Sequence, residues 1–133
     1  MKHIRISILI FWGGLALLLT TMPGETPILR NLIHVLDHLR YGDTIGHIFL
    51  FGSLTLVIFW VLSNGIAPIY ALPLAMMMAF TAGTLTELSQ GYLADRAMTI
   101  SDLLANWLGV FAAGFCISYF TQLRHQWVIG RIV

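Results

Sequence analysis

The sequence predicts an all-α integral membrane protein, a four-helix bundle with a short interfacial helix between its first and second spans. Three observations carry this. Of the 133 residues, 58% are hydrophobic and only 10% charged, whereas a soluble domain carries about 25% charged residues. Mean hydropathy is +0.84, more apolar surface than a water-soluble fold of this size can hide. Four apolar runs stand out, Ile6 to Met22, Thr44 to Leu62, Ile69 to Thr86 and Leu103 to Phe120. Each comes near the ~20 residues that cross ~30 Å of hydrocarbon. None carries a charge within its span except His47, one turn into the second run. The whole chain reads as a single transmembrane domain.

The first run follows Lys2 and Arg5, as a secretory signal would. No small-x-small cleavage site precedes Pro23, so it reads as a retained span. Between spans one and two, Pro27 to Arg40 places Ile28, Leu29, Leu32, Ile33, Leu36 and Leu39 at helical spacing. Thr26 before Pro27 suits its start, and the polar residues fall mainly on the other side. That pattern predicts a helix lying in the interface plane. Ser63 to Pro68, with Asn64-Gly65, joins spans two and three as a tight hairpin. Leu88 to Asp102 reads as a polar connection folded back over the membrane surface.

Four spans put both termini on one side, with Lys2, Arg5, Arg124 and Arg131 and no acidic residue. The other side holds Arg30, Arg40 and Arg96 with all six acidic residues. The Lys/Arg bias, four against three, favours cytoplasmic termini and an outward-facing acidic side.

Alternating direction then gathers Asp43 and His47 at the start of span two, Glu87 and Gln90 at the end of span three, and Asp102 and Asn106 at the start of span four. Arg96 sits in the loop between. Ala75, Ala79 and Gly83 recur every four residues and lead to Glu87. Small residues in such a row let membrane helices approach closely, which aims Glu87 into the bundle. Ala105, Gly109 and Ala113 form a similar row in span four.

His47, Glu87, Arg96 and Asp102 are therefore the candidate catalytic or ligand-binding residues, supported by Asp43, Gln90 and Asn106. Ionisable groups near hydrocarbon are costly and often functional. Structural roles fit several of them too. Asp43 suits an N-cap of span two, Thr99-Ile-Ser-Asp102 has the form of a capping box, Asn106 suits an interhelical hydrogen bond, and Glu87 with Arg96 suits an ion pair. His34 and His38 share a spacing used by metal sites but lack a third ligand, so no metal and no cofactor is expected. Cys116 has no partner cysteine and reads as a packed helix residue. No basic stripe marks nucleic-acid binding.

Asp43-Thr-Ile-Gly-His47 with Phe49 and Phe51, Glu87-Leu-Ser-Gln90, Arg96, Asp102-Leu-Leu-Ala-Asn106 and Gly109 together resemble the VanZ-like family of bacterial membrane proteins. The resemblance runs from Asp43 to Gly114 and rests on the order and spacing of short motifs. The second motif position, often lysine in that family, is Thr44 here, so a role resting on that lysine does not carry over. The family's founding member is associated with low-level resistance to the glycopeptide teicoplanin, a property the resemblance does not transfer. It implies a multi-pass protein of the bacterial cytoplasmic membrane in a cell-envelope setting.

Three functions follow as expectations. The first is an envelope accessory or binding protein whose partners are membrane lipid, a lipid-linked envelope precursor or another membrane protein. The second is an intramembrane enzyme acting on an amphipathic substrate, with Glu87 or His47 as acid or base and Arg96 holding an anionic group. The third is a small proton-coupled transporter, which would place its carboxylate near the midplane.

Overall fold

The computed structural model describes residues 2–21, 41–93 and 99–129, all of them helical apart from short turns and helix ends. Four helices follow in order: α1 (Lys2–Thr21), α2 (Gly42–Leu62), α3 (Pro68–Leu93) and α4 (Ile100–Ile129). The segment expected as an interfacial helix, Pro27 to Arg40, lies outside the described residues.

Three stretches, Gly42–Leu62, Pro68–Tyr92 and Ile100–Arg124, are long and apolar enough to cross a membrane. The described apolar stretch of α1, His3–Leu18, is shorter. The outward faces are as apolar as the inside: Phe11, Phe49, Met77, Phe111, Phe115 and Phe120 are all exposed. Helices apolar all round belong in a large core or in lipid.

α2 is the hub, packing on the other three helices and most extensively on α4. Phe51, Leu54 and Ile58 of α2 meet Ala75 and Ala79 of α3 and Val110 of α4 in the central cluster. The small residues decide how closely these helices come. A Cβ on Gly109 would stand 2.3 Å from the Ile48 carbonyl oxygen, and one on Gly52 would stand 3.2 Å from the Gly109 carbonyl oxygen. α2 and α4 therefore touch backbone to backbone, the approach that small residues permit. A Cβ on Gly83 would meet Asn106 Cβ at 3.1 Å and the Phe51 ring at 3.2 Å. Trp12 Nε1 donates to Ser53 Oγ at 3.0 Å and fastens α1 to α2.

The α2–α3 turn takes the expected form. Ser63 N–H donates to Phe59 O, and Gly65 and Ile66 N–H both donate to Leu62 O. Pro68 then opens α3, where a missing N–H costs nothing. Buried or half-buried hydroxyls return to their own helices: Thr55 donates to Phe51 O, Thr84 to Phe80 O and Thr86 to Gly83 O. This satisfies hydroxyl groups carried on apolar helices.

Two boundaries differ from the sequence reading. α3 continues to Leu93 and does not stop at Thr86: no proline interrupts Leu88 to Leu93, and the single glycine there, Gly91, costs only about 1 kcal/mol. Glu87 and Gln90 thus lie within a helix. α4 runs on beyond Phe120 to Ile129, because polar residues there keep helical geometry without being apolar.

Candidate functional site

Three helices bring their polar residues to one end of the bundle. The small-residue row of α3 is buried throughout, with Ala75, Ala79 and Glu87 all at 0% exposure. Asn106 of α4 is equally buried, and His47 of α2 is 8% exposed. Their side chains form a connected network. His47 Nδ1 lies 2.8 Å from Asn106 Oδ1. Asn106 Nδ2 donates to the Gly83 carbonyl at 3.2 Å and to Glu87 Oε1 at 3.4 Å. Glu87 Oε1 is also 3.7 Å from His47 Nδ1. Thr86 and Gln90 are buried alongside.

This network places a proton on Nδ1 of the imidazole. The Gly83 carbonyl can only accept, so the amide nitrogen of Asn106 must face it and the amide oxygen must face His47. An oxygen there requires a proton on Nδ1, whether the ring is neutral or charged. Nε2 is left pointing the other way, 3.8 Å from Asp43 Oδ1 one turn earlier on α2. That distance is too long for a hydrogen bond.

Asp102 enters from the first turn of α4. Its backbone N–H donates to Thr99 Oγ1 at 3.1 Å, and its Oδ2 accepts the Thr99 hydroxyl. The cap half of the expected capping box is present. The reciprocal bond runs hydroxyl to carboxylate, not carboxylate to backbone. Asp43, by contrast, is not an N-cap. The residue before α2 is Tyr41, no side chain caps the helix, and Asp43 sits in its first turn. One carboxylate oxygen of Asp43, one of Asp102 and one ring nitrogen of His47 lie within 4.8 Å of one another.

The structure therefore joins His47, Glu87 and Asn106 directly, places Asp43 and Asp102 beside His47, and buries Gln90 one turn beyond Glu87. Arg96 lies outside the described residues, as do His34 and His38. Sequence reasoning missed the Gly83 carbonyl, whose exposure to Asn106 follows from the absent side chain, and Gly52, whose role depends on a register between helices. The far end of the bundle has a different character. The Arg5 guanidinium lies over the Trp60 ring, 4.6 Å from its centre, a cation–π pair of the kind that sits at a membrane–water boundary.

Chemically, the network offers a buried carboxylate, a fixed donor–acceptor bridge and an imidazole with one nitrogen committed. Such an arrangement can orient a polar head group or move a proton at His47 Nε2. Comparison with family models, curated proteins and solved structures finds no match to this chain.

Proposed function

We propose that this chain is a VanZ-like protein of the bacterial cytoplasmic membrane, crossing it four times with both termini in the cytoplasm. In this reading it is a cell-envelope accessory or binding protein whose polar layer, at the outer face, takes the head group of a lipid or lipid-linked precursor. The observation that carries the reading is Glu87, fully buried yet tied through Asn106 to His47. Support for the family comes from the order and spacing of its motifs, whose residues on α2, α3 and α4 meet at one end of the fold. A partner membrane protein could use the same layer.

A buried carboxylate in an apolar bundle is expensive, and one interhelical bridge does not need three titratable groups around it. The test is the lipid that co-purifies with the parent and with Glu87→Gln, identified by native mass spectrometry. Retention of an anionic or lipid-linked species by the parent and its loss from the variant supports the reading. Equal lipid content in both sinks it.

One observation favours the enzymatic alternative. His47 Nε2 is held at a fixed angle by the Nδ1 bond and makes no hydrogen bond of its own, which suits an acid or base awaiting substrate. The transporter reading gains nothing, since Glu87 lies in the last third of α3 and away from the middle of the bundle.

A further inference from the structure

We propose that Asp43, His47 and Asp102 hold a divalent transition-metal ion, coordinated through His47 Nε2 and one oxygen of each carboxylate. Sequence spacing alone did not suggest this, because Asp102 is distant in the chain from the other two.

The first observation is proximity. The three donor atoms lie within 4.8 Å of one another, with 3.8 Å between His47 Nε2 and Asp43 Oδ1. Donors bound to one tetrahedral zinc ion at ~2.0–2.2 Å lie about 3.3–3.6 Å apart. Side-chain rotations of Asp43, which is 60% exposed, and of Asp102 in the first turn of its helix would draw the three donors onto one ion.

The second observation is independent of the acidic residues. His47 is more than nine-tenths buried, and its Nδ1–H is committed to Asn106 Oδ1. Nε2 is therefore the ring nitrogen left for the two carboxylates, 3.8 Å from that of Asp43, and it hydrogen-bonds to neither. In the neutral ring that nitrogen carries a lone pair, which repels the anionic oxygens it faces. A cation between them resolves the conflict. Metal-bound histidines commonly donate the opposite ring N–H to an oxygen acceptor, which fixes the tautomer, and Asn106 supplies that acceptor here. Neither Asp43 nor Asp102 is ion-paired to Lys or Arg among the described residues, so their charge is not already neutralised there.

One imidazole nitrogen and two carboxylate oxygens suit zinc, manganese or ferrous iron better than magnesium or calcium. Three protein ligands leave coordination positions open, as in catalytic zinc sites. An anionic oxygen of a head group would be a suitable ligand for such a position. This last step rests on the proposed function; the metal site itself does not.

The experiment uses the full-length protein in detergent, stripped with EDTA and titrated with Zn²⁺ by calorimetry, with bound metal counted by mass spectrometry. The parent and a His34→Gln/His38→Gln variant should each bind one equivalent at this site. Asp43→Asn and Asp102→Asn should each weaken that binding at least tenfold. Failure of the parent to bind a stoichiometric ion would overturn the proposal. So would binding within tenfold of the parent in either aspartate variant. If Asp102→Asn does not fold, X-ray absorption of the zinc-loaded parent decides, since a sulfur or a second imidazole ligand is incompatible with this site. Zinc binding without lipid binding removes the proposed function and keeps the metal. Glu87-dependent lipid binding without zinc does the reverse.

Discussion

Gly109 of α4 passes so close to Ile48 of α2 that a Cβ on the glycine would stand 2.3 Å from the isoleucine carbonyl oxygen. His47 precedes Ile48, and Asn106 lies one turn before Gly109. This close approach of the two helices thus brings His47 and Asn106 to the 2.8 Å bond between them. Replacing Gly109 with alanine adds ~1 kcal/mol of helix propensity but forces backbones apart at an overpacking cost of ~1–3 kcal/mol or more. The detergent melting temperature should fall by several degrees. Gly13→Ala, where nothing lies within 4 Å of the new carbon, should leave it unchanged or slightly raised.

Asn106→Leu keeps the branched outline of the side chain and removes the bridge. His47 Nδ1–H then loses its acceptor and faces Glu87 Oε1 at 3.7 Å, too far for a hydrogen bond, at a cost of ~1–3 kcal/mol. Melting should show this loss. The imidazole also loses the bond that orients it, so zinc affinity should drop by about 10–100-fold. An unchanged affinity would mean that Asn106 does not position the ring.

Glu87→Gln separates binding from scaffolding. Glutamine retains an oxygen for Asn106 Nδ2 and removes the charge. The variant should express and melt like the parent while head-group binding falls at least tenfold, or about 1.4 kcal/mol. A large drop in melting temperature with binding intact would assign Glu87 to structure. Breaking a desolvated ion pair can cost ~3–5 kcal/mol.

Topology can be read with single cysteines in a Cys116→Ala background. A cysteine at Arg131 should react with an impermeant thiol reagent only after the membrane is opened. One at Asp43, whose side chain is mostly exposed, should react from outside intact cells. The opposite pattern would reverse the proposed orientation.

The four helices were legible because a run of apolar residues near twenty long has few other uses, and the Ala75–Ala79–Gly83 row pointed to a buried Glu87. Helix ends were less legible. Polar residues can prolong a helix past its apolar stretch, as Leu88 to Leu93 and Thr121 to Ile129 do. Asp43 looked like a cap because aspartate favours that place, yet the helix starts before it at Gly42. The Gly52–Gly109 crossing and the approach of Asp102 to His47 depend on register between separate helices. No spacing within one segment encodes that register.

The bond from His47 to Asn106 spans 59 residues of chain, which has a consequence for synthesis. A ribosome adding ~5–20 residues per second needs about 3–12 s to make that interval. For that time His47 is already made while its acceptor is not. Glu87 follows, and it too precedes Asn106. The nascent protein therefore carries polar groups without their eventual bridge, and only the last helix completes the layer. Any chain truncated before α4 would display them uncovered, a recognisable mark of an unfinished molecule for membrane quality control.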